Sequence, residues 1–234
     1  MLCKIDANKD VKTAGNLIKS SLSKSFVKVV HVVNGLESHD FWIECAKLVG
    51  KFAPMEENYL GDKTGEFFTD IKYPWKEQSN SFSHSNTRQP LHTDGSYESN
   101  APQITFFCCK ESPKYGGSTI FIDLKNLKSY LLEYSPSLFY KLENEIVTHS
   151  KGKDKKTRKI LDGSTISWNF FRCEECQLRN EFNDFLENYI IGGNLFESVN
   201  LKIGDALFFK DEEILHGRNS FIGNRWLIKG GLYV

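Results

Sequence analysis

Apolar and polar residues change their spacing several times along the chain, and these changes divide it into helical and extended segments. Apolar residues recur at helical spacing over 10–22, and again from Ser38, a predicted N-cap, to about residue 52. The run 26–33 is β-branched and ends at an Asn-Gly turn pair, so it predicts a strand between the two helices. Residues 54–91 are polar and irregular, and they predict a long loop of the kind that often carries function.

Beyond that loop, short extended segments predominate. They are predicted at 103–109, 119–122, 145–149, 160–171, 195–201, 206–209 and 225–234. Two helices interrupt them, one over 124–143 that is broken at Pro136 and one over 177–191 that ends at a Gly-Gly pair. This order predicts a mainly β protein with flanking helices, in which two sheets form a barrel or sandwich. The 234 residues suffice for one core, so a single domain is predicted over 1–234.

Charge and hydropathy narrow the classes of partner. The chain has 30 basic and 30 acidic residues, so its formal net charge is zero, whereas nucleic-acid-binding proteins usually carry a basic excess. Nucleic acid is therefore not the expected partner. The N-terminus lacks the apolar stretch of a secretory signal, and no apolar run is long enough to span a bilayer. The sequence thus predicts a cytoplasmic protein without a membrane partner, and it does not indicate an oligomeric state.

Two local features are only weak chemical signals. Residues 151–159 are strongly basic, and a solvated loop is favoured over a patch for an acidic substrate. Cys173 and Cys176 form a CxxC pair, but no second pair of zinc ligands occurs at a suitable spacing. The CxxC pair is therefore interpreted as chance spacing rather than as a metal or redox site.

The strongest chemical signal is the triplet His92-Thr93-Asp94. In an extended segment, residues two positions apart point to the same face, so this imidazole and this carboxylate can reach one cation. A site needs a third ligand, for which His216 is the best candidate and His84, in the preceding polar loop, is its rival. Taken alone, these residues fit ordinary hydrogen-bonding roles equally well.

Two histidines and one carboxylate on one face of a metal ion leave coordination positions open, as in non-haem iron(II) oxygenases. The open positions admit a bidentate keto acid and then O2. The far carboxylate of the keto acid also needs a partner, and a guanidinium suits it through two parallel hydrogen bonds. Arg225 follows His216 after a turn-like segment, so neighbouring strands would place both at one site.

Two separated blocks of sequence carry a further pattern. In the first, His92-Thr93-Asp94 precedes an apolar strand and a Gly-Gly-Ser-Thr run that ends at Thr119. In the second, His216 is followed by a loop and then by Arg225 and Lys229, four residues apart. Together the blocks resemble the taurine dioxygenase and clavaminate synthase-like family of 2-oxoglutarate oxygenases, which has a second arginine where this chain has lysine.

The resemblance covers 92–123 and 201–234 well, and it leaves 124–200 as a variable insert that would carry any lid over the substrate. It implies a double-stranded β-helix, also called a jelly roll or cupin-like fold. It further implies Fe(II), 2-oxoglutarate and O2, with the iron held by the two histidines and the aspartate named above.

Further residue roles follow from the same resemblance. Thr119 and Arg225 would bind the distal carboxylate of 2-oxoglutarate, although the lysine at 229 leaves open which basic residue is the main anchor. A Trp-Asn-aromatic stretch resembles the substrate-lining segment of relatives that modify amino acids. The substrate residues implied in this way, or chosen as partners for a substrate carboxylate, are Trp168, Asn169, Arg172 and Arg218.

The implied reaction is hydroxylation of a small polar metabolite, such as an amino acid or a derivative, with release of succinate and CO2. Halogenating relatives replace the carboxylate ligand by a small residue, so Asp94 argues against halogenation. Desaturation or cyclisation uses the same metal site and stays open, as does oxidation of a macromolecule, which only the basic run supports. A non-catalytic barrel that binds metal or a small ligand is less favoured, because it has no need for both Thr119 and Arg225.

Overall fold

A computed structural model describes residues 1–54, 65–74 and 84–234 of the chain. Its strands are β1 (Leu2–Asp6), β2 (Val29–Val33), β3 (Lys51–Ala53), β4 (Phe68–Tyr73), β5 (Gln89–His92), β6 (Ile104–Glu111), β7 (Tyr115–Gly116), β8 (Thr119–Asp123), β9 (Ile146–Lys151), β10 (Asp154–Lys159), β11 (Leu161–Asp162), β12 (Thr165–Ile166), β13 (Glu197–Val199), β14 (Ala206–Lys210), β15 (Ile214–Arg218), β16 (Phe221–Ile222) and β17 (Arg225–Tyr233). Its α-helices are α1 (Val11–Leu22), α2 (His39–Val49), α3 (Leu124–Tyr134), α4 (Pro136–Asn144) and α5 (Gln177–Phe185). A π-helical segment, Leu186–Ile191, continues α5, and a 3-10 turn covers Asp211–Glu213.

The larger strands form two sheets. Within the described residues, the major sheet has the order β1-β2-β14-β6-β17, and β3 and β4 both pair with the free edge of β17. The minor sheet has the order β13-β8-β15-β5. Only β1 and β2 are parallel in these two sheets, and α1 provides the crossover between them. Most neighbouring strands are remote in sequence and antiparallel, which is the connectivity expected of a jelly roll.

Alternating side chains on the central strands separate two cores. On β14, Ala206 and Phe208 pack with α1 and α2, whereas Leu207 and Phe209 belong to a cluster between the sheets. On the neighbouring strand β6, Phe107 joins the same inner cluster. Both faces of these strands are buried, which explains why their sequences are continuously apolar rather than alternating. The inward rows of β6, β14 and β17 line the interior of the fold.

Helices α1 and α2, which the sequence predicted as helices, cover the outer face of the major sheet. Asp10 caps α1, because its carboxylate accepts a hydrogen bond from the Thr13 N–H at 2.7 Å. Each helix buries one apolar stripe, within which Ile18 and Trp42 are fully buried. The second helix ends at Val49, earlier than predicted, because the residues after Gly50 pair with β17 as β3.

Helices α3, α4 and α5 cover the minor sheet. The predicted break at Pro136 is confirmed, since this residue begins α4, where its missing N–H removes no hydrogen bond. Trp168 and Phe182 fill the core beneath the helices, with ring centroids 4.8 Å apart. Cys176 is the N-cap of α5 and accepts the Arg179 N–H at 3.4 Å, so helix capping accounts for one member of the CxxC pair.

Two predictions about irregular segments were wrong. Residues 68–73 and 89–92, assigned to a loop because they are polar, form β4 and β5 since strands from the C-terminal part pair with them. The basic run is not a solvated loop, because 154–159 form β10 and pair with β9 as a hairpin. The strand predicted within 160–171 is present there, as the short pair β11–β12.

The described residues are 37% strand and 29% helix, so the predicted mainly β architecture with flanking helices is confirmed. In the same part of the chain, no helix combines the length and apolar character that crossing a membrane requires.

Candidate metal centre

Two strands of the minor sheet bring the two histidines together. His92 is the last residue of β5 and pairs directly with His216 on β15. Their ring centroids are 4.3 Å apart, and both residues are buried. The pairing joins residues that lie far apart in the sequence, so only the fold establishes it.

Asp94 lies in the turn after β5, close to both histidines. Its Oδ1 is 3.9 Å from His92 Nε2, and its Oδ2 is 3.7 Å from His216 Nε2. One ligand atom from each of the three residues lies within 4.8 Å of the others, so one cation can be shared. Gly95 continues the turn with φ of +64°, and a Cβ there would lie 2.8 Å from the Ala101 Cβ. The turn that presents Asp94 therefore requires glycine.

Thr93, between the two ligands, ties this turn to a remote segment. Its N–H donates to the Trp168 carbonyl at 2.7 Å. Its hydroxyl donates to the same carbonyl at 3.2 Å and accepts the Trp168 N–H at 3.0 Å. The main chain of Trp168 thus holds the metal-ligand turn in place. Nothing in the local sequence distinguishes this threonine from an ordinary strand residue, so its role was not predicted.

The ring nitrogens of both histidines suit a cation. His92 Nδ1 donates to the Pro90 carbonyl at 2.9 Å, so its Nε2 is an acceptor, which lies 3.3 Å from the Gln89 amide nitrogen. Burial lowers the pKa of His92 to about 3 and the pKa of His216 to about 4, so both rings are neutral at pH 7. A neutral imidazole offers the lone pair that metal ligation requires.

Lys229 holds the carboxylate of Asp94. Its Nζ lies 2.7 Å from Oδ1, while the buried Oδ2 has no hydrogen-bond partner among the described residues. Burial acts to raise the pKa of Asp94, but the Lys229 ammonium and then the two histidines outweigh burial and hold this pKa well below its usual range. The carboxylate is therefore charged, with one oxygen held and the other turned towards His216. This arrangement fits monodentate ligation of a cation.

Behind His216 lies a buried carboxylate that sequence reasoning missed. Asp211 follows β14 in the 3-10 turn and is completely buried. Its Oδ1 lies 3.4 Å from His216 Nδ1. Burial, followed by the charge of Asp94, raises the pKa of Asp211 well above its usual value. The only sequence signal is an acidic triplet directly after an apolar strand, which is more typical of an exposed turn.

Two buried arginines lie at another part of the interior. The guanidinium carbons of Arg225 and Arg218 are 5.8 and 5.1 Å from the centroid of the Phe221 ring. Arg218 lies opposite Thr119 in the β8–β15 register. Burial, reinforced by Arg218, lowers the pKa of Arg225 to about 9, so it remains cationic at pH 7. Among the described residues, no carboxylate forms an ion pair with Arg225.

A cavity of about 360 Å³ opens beside Arg225. The segments 112–117 and 200–202 line it, and they contribute Lys114 and Lys202. None of its described lining residues is acidic. This open cavity therefore favours an anion.

The three residues of the predicted substrate segment differ in burial and in their contacts. The Trp168 ring is buried against Phe182, so its main chain rather than its ring contacts the metal-ligand turn. Asn169 Oδ1 accepts the Phe171 N–H at 3.1 Å. Arg172 is half-buried.

Arg218 and the rival ligand His84 both contact the main chain. Arg218 donates to the carbonyls of Ser85 and Thr87, at 2.8 Å each. His84 Nδ1 lies 3.2 Å from the Lys72 carbonyl. It is absent from the group of described side chains that can share one cation, so the fold does not bring it to the centre.

The basic hairpin β9–β10 packs beside the segment that follows the metal-ligand turn. Lys156 and Arg158 donate to the carbonyls of Ser99 and Glu98, at 3.1 and 3.2 Å. Lys151 approaches the same segment, with Nζ 3.3 Å from a tyrosine hydroxyl. These cations therefore bind protein groups rather than forming the solvated loop that their composition predicted.

The fold and the site define a class of protein, a jelly roll whose interior holds two histidines, one carboxylate and a buried arginine. The model of the family described as "Taurine catabolism dioxygenase TauD, TfdA family" matches residues 29–169. The match spans more than half of the chain, so the chain belongs to this family. The resemblance drawn from the two sequence blocks is confirmed.

A curated relative is the 3-((Z)-2-isocyanoethenyl)-1H-indole synthase of Fischerella ambigua (strain UTEX 1903). It is 26% identical over an alignment of 165 residues, and the match covers 59% of this chain and 60% of that protein. The chain thus matches less than two thirds of the length of this relative.

Several solved structures share the fold. PvcB from Pseudomonas aeruginosa aligns with a TM-score of 0.70 and 14% identity, over 100% of this chain and 86% of that one. An asparagine oxygenase in complex with Fe(II), 2S,3S-3-hydroxyasparagine and succinate aligns with a TM-score of 0.70 and 14% identity, over 95% of this chain and 83% of that one. The non-haem iron oxygenase OrfP with Fe and alpha-ketoglutaric acid aligns with a TM-score of 0.69 and 15% identity, over 95% of this chain and 79% of that one. The predicted double-stranded β-helix is confirmed.

Proposed function

We propose that the protein is an Fe(II)- and 2-oxoglutarate-dependent oxygenase that hydroxylates a small polar metabolite, such as an amino acid or a derivative. One observation carries the proposal. His92, Asp94 and His216 converge to within reach of one cation, in a fold whose interior also holds a buried arginine without a described carboxylate partner. Membership of the dioxygenase family supports the same function.

The three converging side chains would hold the iron. Two neutral imidazoles and one carboxylate would leave coordination positions for 2-oxoglutarate and O2. Bound iron with 2-oxoglutarate supplies the oxidation of an unactivated C–H bond, which no protein side chain performs. The chain itself supplies neutral nitrogen donors, a charged carboxylate and burial from bulk water.

Arg225, with the Thr119 hydroxyl, would be the main anchor for the far carboxylate of 2-oxoglutarate. Lys229 is less suited to this role, because its ammonium already forms an ion pair with Asp94 at 2.7 Å. A guanidinium also presents two parallel N–H donors to a carboxylate, which a lysine cannot. We therefore assign Lys229 to holding Asp94, next to the place where a substrate acid group would arrive.

A small substrate that resembles an amino acid is supported by the relatives. The asparagine oxygenase structure contains a hydroxyasparagine, and an OrfP structure contains (3S)-hydroxy-L-Arg. Asn169 and Arg172 remain our candidate substrate residues, because they continue the segment whose main chain holds Thr93. Trp168 would act through its main chain, and Arg218 through its bonds to the neighbouring loop.

Desaturation is the second candidate outcome. The curated relative is the synthase of an indole that carries an isocyanoethenyl group, and PvcB is an oxygenase from an isonitrile synthetic pathway. The same metal site would serve either outcome. Mass spectrometry of the product distinguishes the gain of an oxygen atom from the loss of two hydrogen atoms.

Oxidation of a macromolecule is the less favoured alternative, because Lys156 and Arg158 of the basic run that supported it bind main-chain carbonyls of the protein itself. A single domain over 1–234, a cytoplasmic location and a small-molecule partner stay predictions from the sequence.

Anaerobic addition of Fe(II) and 2-oxoglutarate to metal-free protein tests the proposal. We expect a weak visible charge-transfer band with the wild type and with His84→Ala, but none with His92→Ala or Asp94→Ala. Arg225→Lys should raise the 2-oxoglutarate concentration needed for the band by roughly tenfold or more. The control Lys155→Met, which removes an exposed cation that pairs with Glu174 on the hairpin β9–β10, should leave that concentration unchanged.

A folded wild-type protein that gives no band would contradict the oxygenase proposal. Succinate release across a panel of amino acids and their derivatives then identifies the substrate. Release that only nucleic acid or protein stimulates would contradict the small-molecule part of the proposal.

A further inference from the structure

We propose that Asp211 is a positioning residue for His216, an inference that rests on the proposed function. Its buried carboxylate would accept the Nδ1–H of His216 and so keep Nε2 of that ring directed at the metal. Asp211 would not itself be a ligand, since it is outside the group of side chains that can share one cation.

Few contacts in the structure give the Asp211 carboxylate any other role. The residue is completely buried, and its carboxylate forms no hydrogen bond of normal geometry among the described residues, although it has a weak contact with the main-chain N–H of Asp94. Its Oδ1 lies 3.4 Å from His216 Nδ1, which also lacks a hydrogen-bond partner there. This separation is slightly longer than an N–H···O hydrogen bond, and such contacts commonly shorten when a functional site is filled.

Metal binding by His216 would provide the hydrogen-bond donor that the Asp211 carboxylate lacks. A histidine that binds a metal through Nε2 carries its proton on Nδ1, and a buried N–H needs an acceptor. A carboxylate acceptor fixes the tautomer and the ring orientation, and it makes the imidazole a better ligand. His92 meets the same need with a neutral acceptor, the Pro90 carbonyl at 2.9 Å. The two histidines would therefore differ in their strength as metal ligands, because one has a carboxylate acceptor and the other a carbonyl acceptor.

A second aspartate, at the other end of β14, forms an Asp–His contact with a purely structural role. Asp205 immediately precedes β14, as Asp211 immediately follows it. Its Oδ2 accepts the Lys202 N–H at 3.1 Å and lies 3.2 Å from His31 Nε2. Asp205 is thus provided with hydrogen bonds of normal geometry by the fold alone, whereas Asp211 has only the weak contact with the Asp94 main chain. A buried carboxylate so poorly provided with donors is expected to destabilise the metal-free fold, which argues that it is kept for the metal.

Metal affinity and metal-free stability, measured together, test the inference. Co(II) serves as the probe, titrated into metal-free protein against a chromophoric chelator, and thermal unfolding is followed without metal. Asp211→Leu should weaken Co(II) binding by roughly 10- to 100-fold and leave the metal-free Tm unchanged or raised. Asp211→Asn should lose less affinity, because its amide oxygen still accepts a hydrogen bond. The control Asp205→Leu should lower the Tm and leave Co(II) affinity unchanged.

Two results would overturn the inference. One is an Asp211→Leu protein that binds Co(II) as tightly as the wild type. The other is a loss of affinity that comes with a lower metal-free Tm, as in the Asp205→Leu control. If Asp211→Leu does not fold, the same comparison is made with Asp211→Asn, for which an unchanged affinity overturns the inference. A wild type that binds neither Co(II) nor Fe(II) with 2-oxoglutarate would instead overturn the proposed function.

Discussion

Each side chain that would hold the metal depends on a neighbour that is not a ligand. Lys229 holds one oxygen of Asp94, and the Pro90 carbonyl orients the His92 ring. Thr93 fixes the turn between these two ligands through three hydrogen bonds to the main chain of one residue. At the scale of single residues, the geometry of the site is therefore set by contacts that a ligand motif does not mention.

Thr93→Val tests this dependence. The substitution keeps the shape of the side chain but removes the acceptor of the Trp168 N–H, which stays buried. We expect a loss of about 1–3 kcal/mol in the free energy of unfolding, together with weaker metal binding. Urea unfolding and the Co(II) titration described above measure the two effects.

Thr105→Val is the matched control for this prediction. The Thr105 hydroxyl is also fully buried, but it has no hydrogen-bond partner among the described residues. Its removal should be neutral or stabilising, because no bond is lost. Equal destabilisation by both substitutions would contradict the role assigned to Thr93.

At the scale of elements, the hairpin β9–β10 shows how pairing changes the meaning of a sequence. The polar and basic residues of β10 read as a loop, but alternate residues face opposite ways once they form a strand. Lys156 and Arg158 face the segment after the metal-ligand turn, whereas Lys155 is exposed and pairs with Glu174 at 2.7 Å. The hairpin therefore braces one side of the site.

Removing the two inward-facing cations should loosen that segment. In a Lys156→Ala/Arg158→Ala protein, the amides of 96–100 should exchange hydrogen faster, because two side-chain contacts to their carbonyls are lost. Hydrogen–deuterium exchange followed by mass spectrometry measures this. Lys155→Ala, on the opposite face, should leave the exchange of 96–100 unchanged, and equal acceleration by both proteins would refute the bracing role.

At the scale of the whole molecule, burial of titratable groups links the core to the behaviour of the protein in acid. His149 on β9 is fully buried, and neither ring nitrogen has a hydrogen-bond partner in the described part of the chain. Burial, followed by the charge of Arg158, lowers the pKa of His149 from 6.5 to about 4. The folded state therefore binds this proton less readily than the unfolded state does.

The sign of the resulting pH dependence follows from that lowered pKa. Above pH 6.5 the ring is neutral in both states, and as the pH falls towards 4 only the unfolded state gains the proton. The stability of the wild type should fall by roughly 2 kcal/mol between pH 7 and pH 5 because of this group. His149→Leu should remove that component, which urea unfolding at both pH values detects. Parallel pH profiles for the two proteins would contradict the prediction.

The amino-acid sequence by itself determined most of the element types and the chemical identity of the site. Helical spacing located α1, and the His-x-Asp spacing together with a remote histidine and arginine indicated the ligand set. These signals are local, because helix periodicity, caps and short motifs depend on residues that are near neighbours in the chain. The limit of such signals was reached at β4, β5 and β10, whose polar sequences form strands only because other strands pair with them.

Only the tertiary structure decided which remote residues meet. The β5–β15 pairing sets His216 against His92, and the inward face of β17 brings Lys229 onto Asp94. The role proposed for Asp211 also depends on its burial behind His216, which the sequence does not indicate because its neighbours are ordinary acidic residues. Strand partners and burial are properties of the whole chain, because they depend on contacts between residues far apart in sequence, and a local pattern carries no record of them.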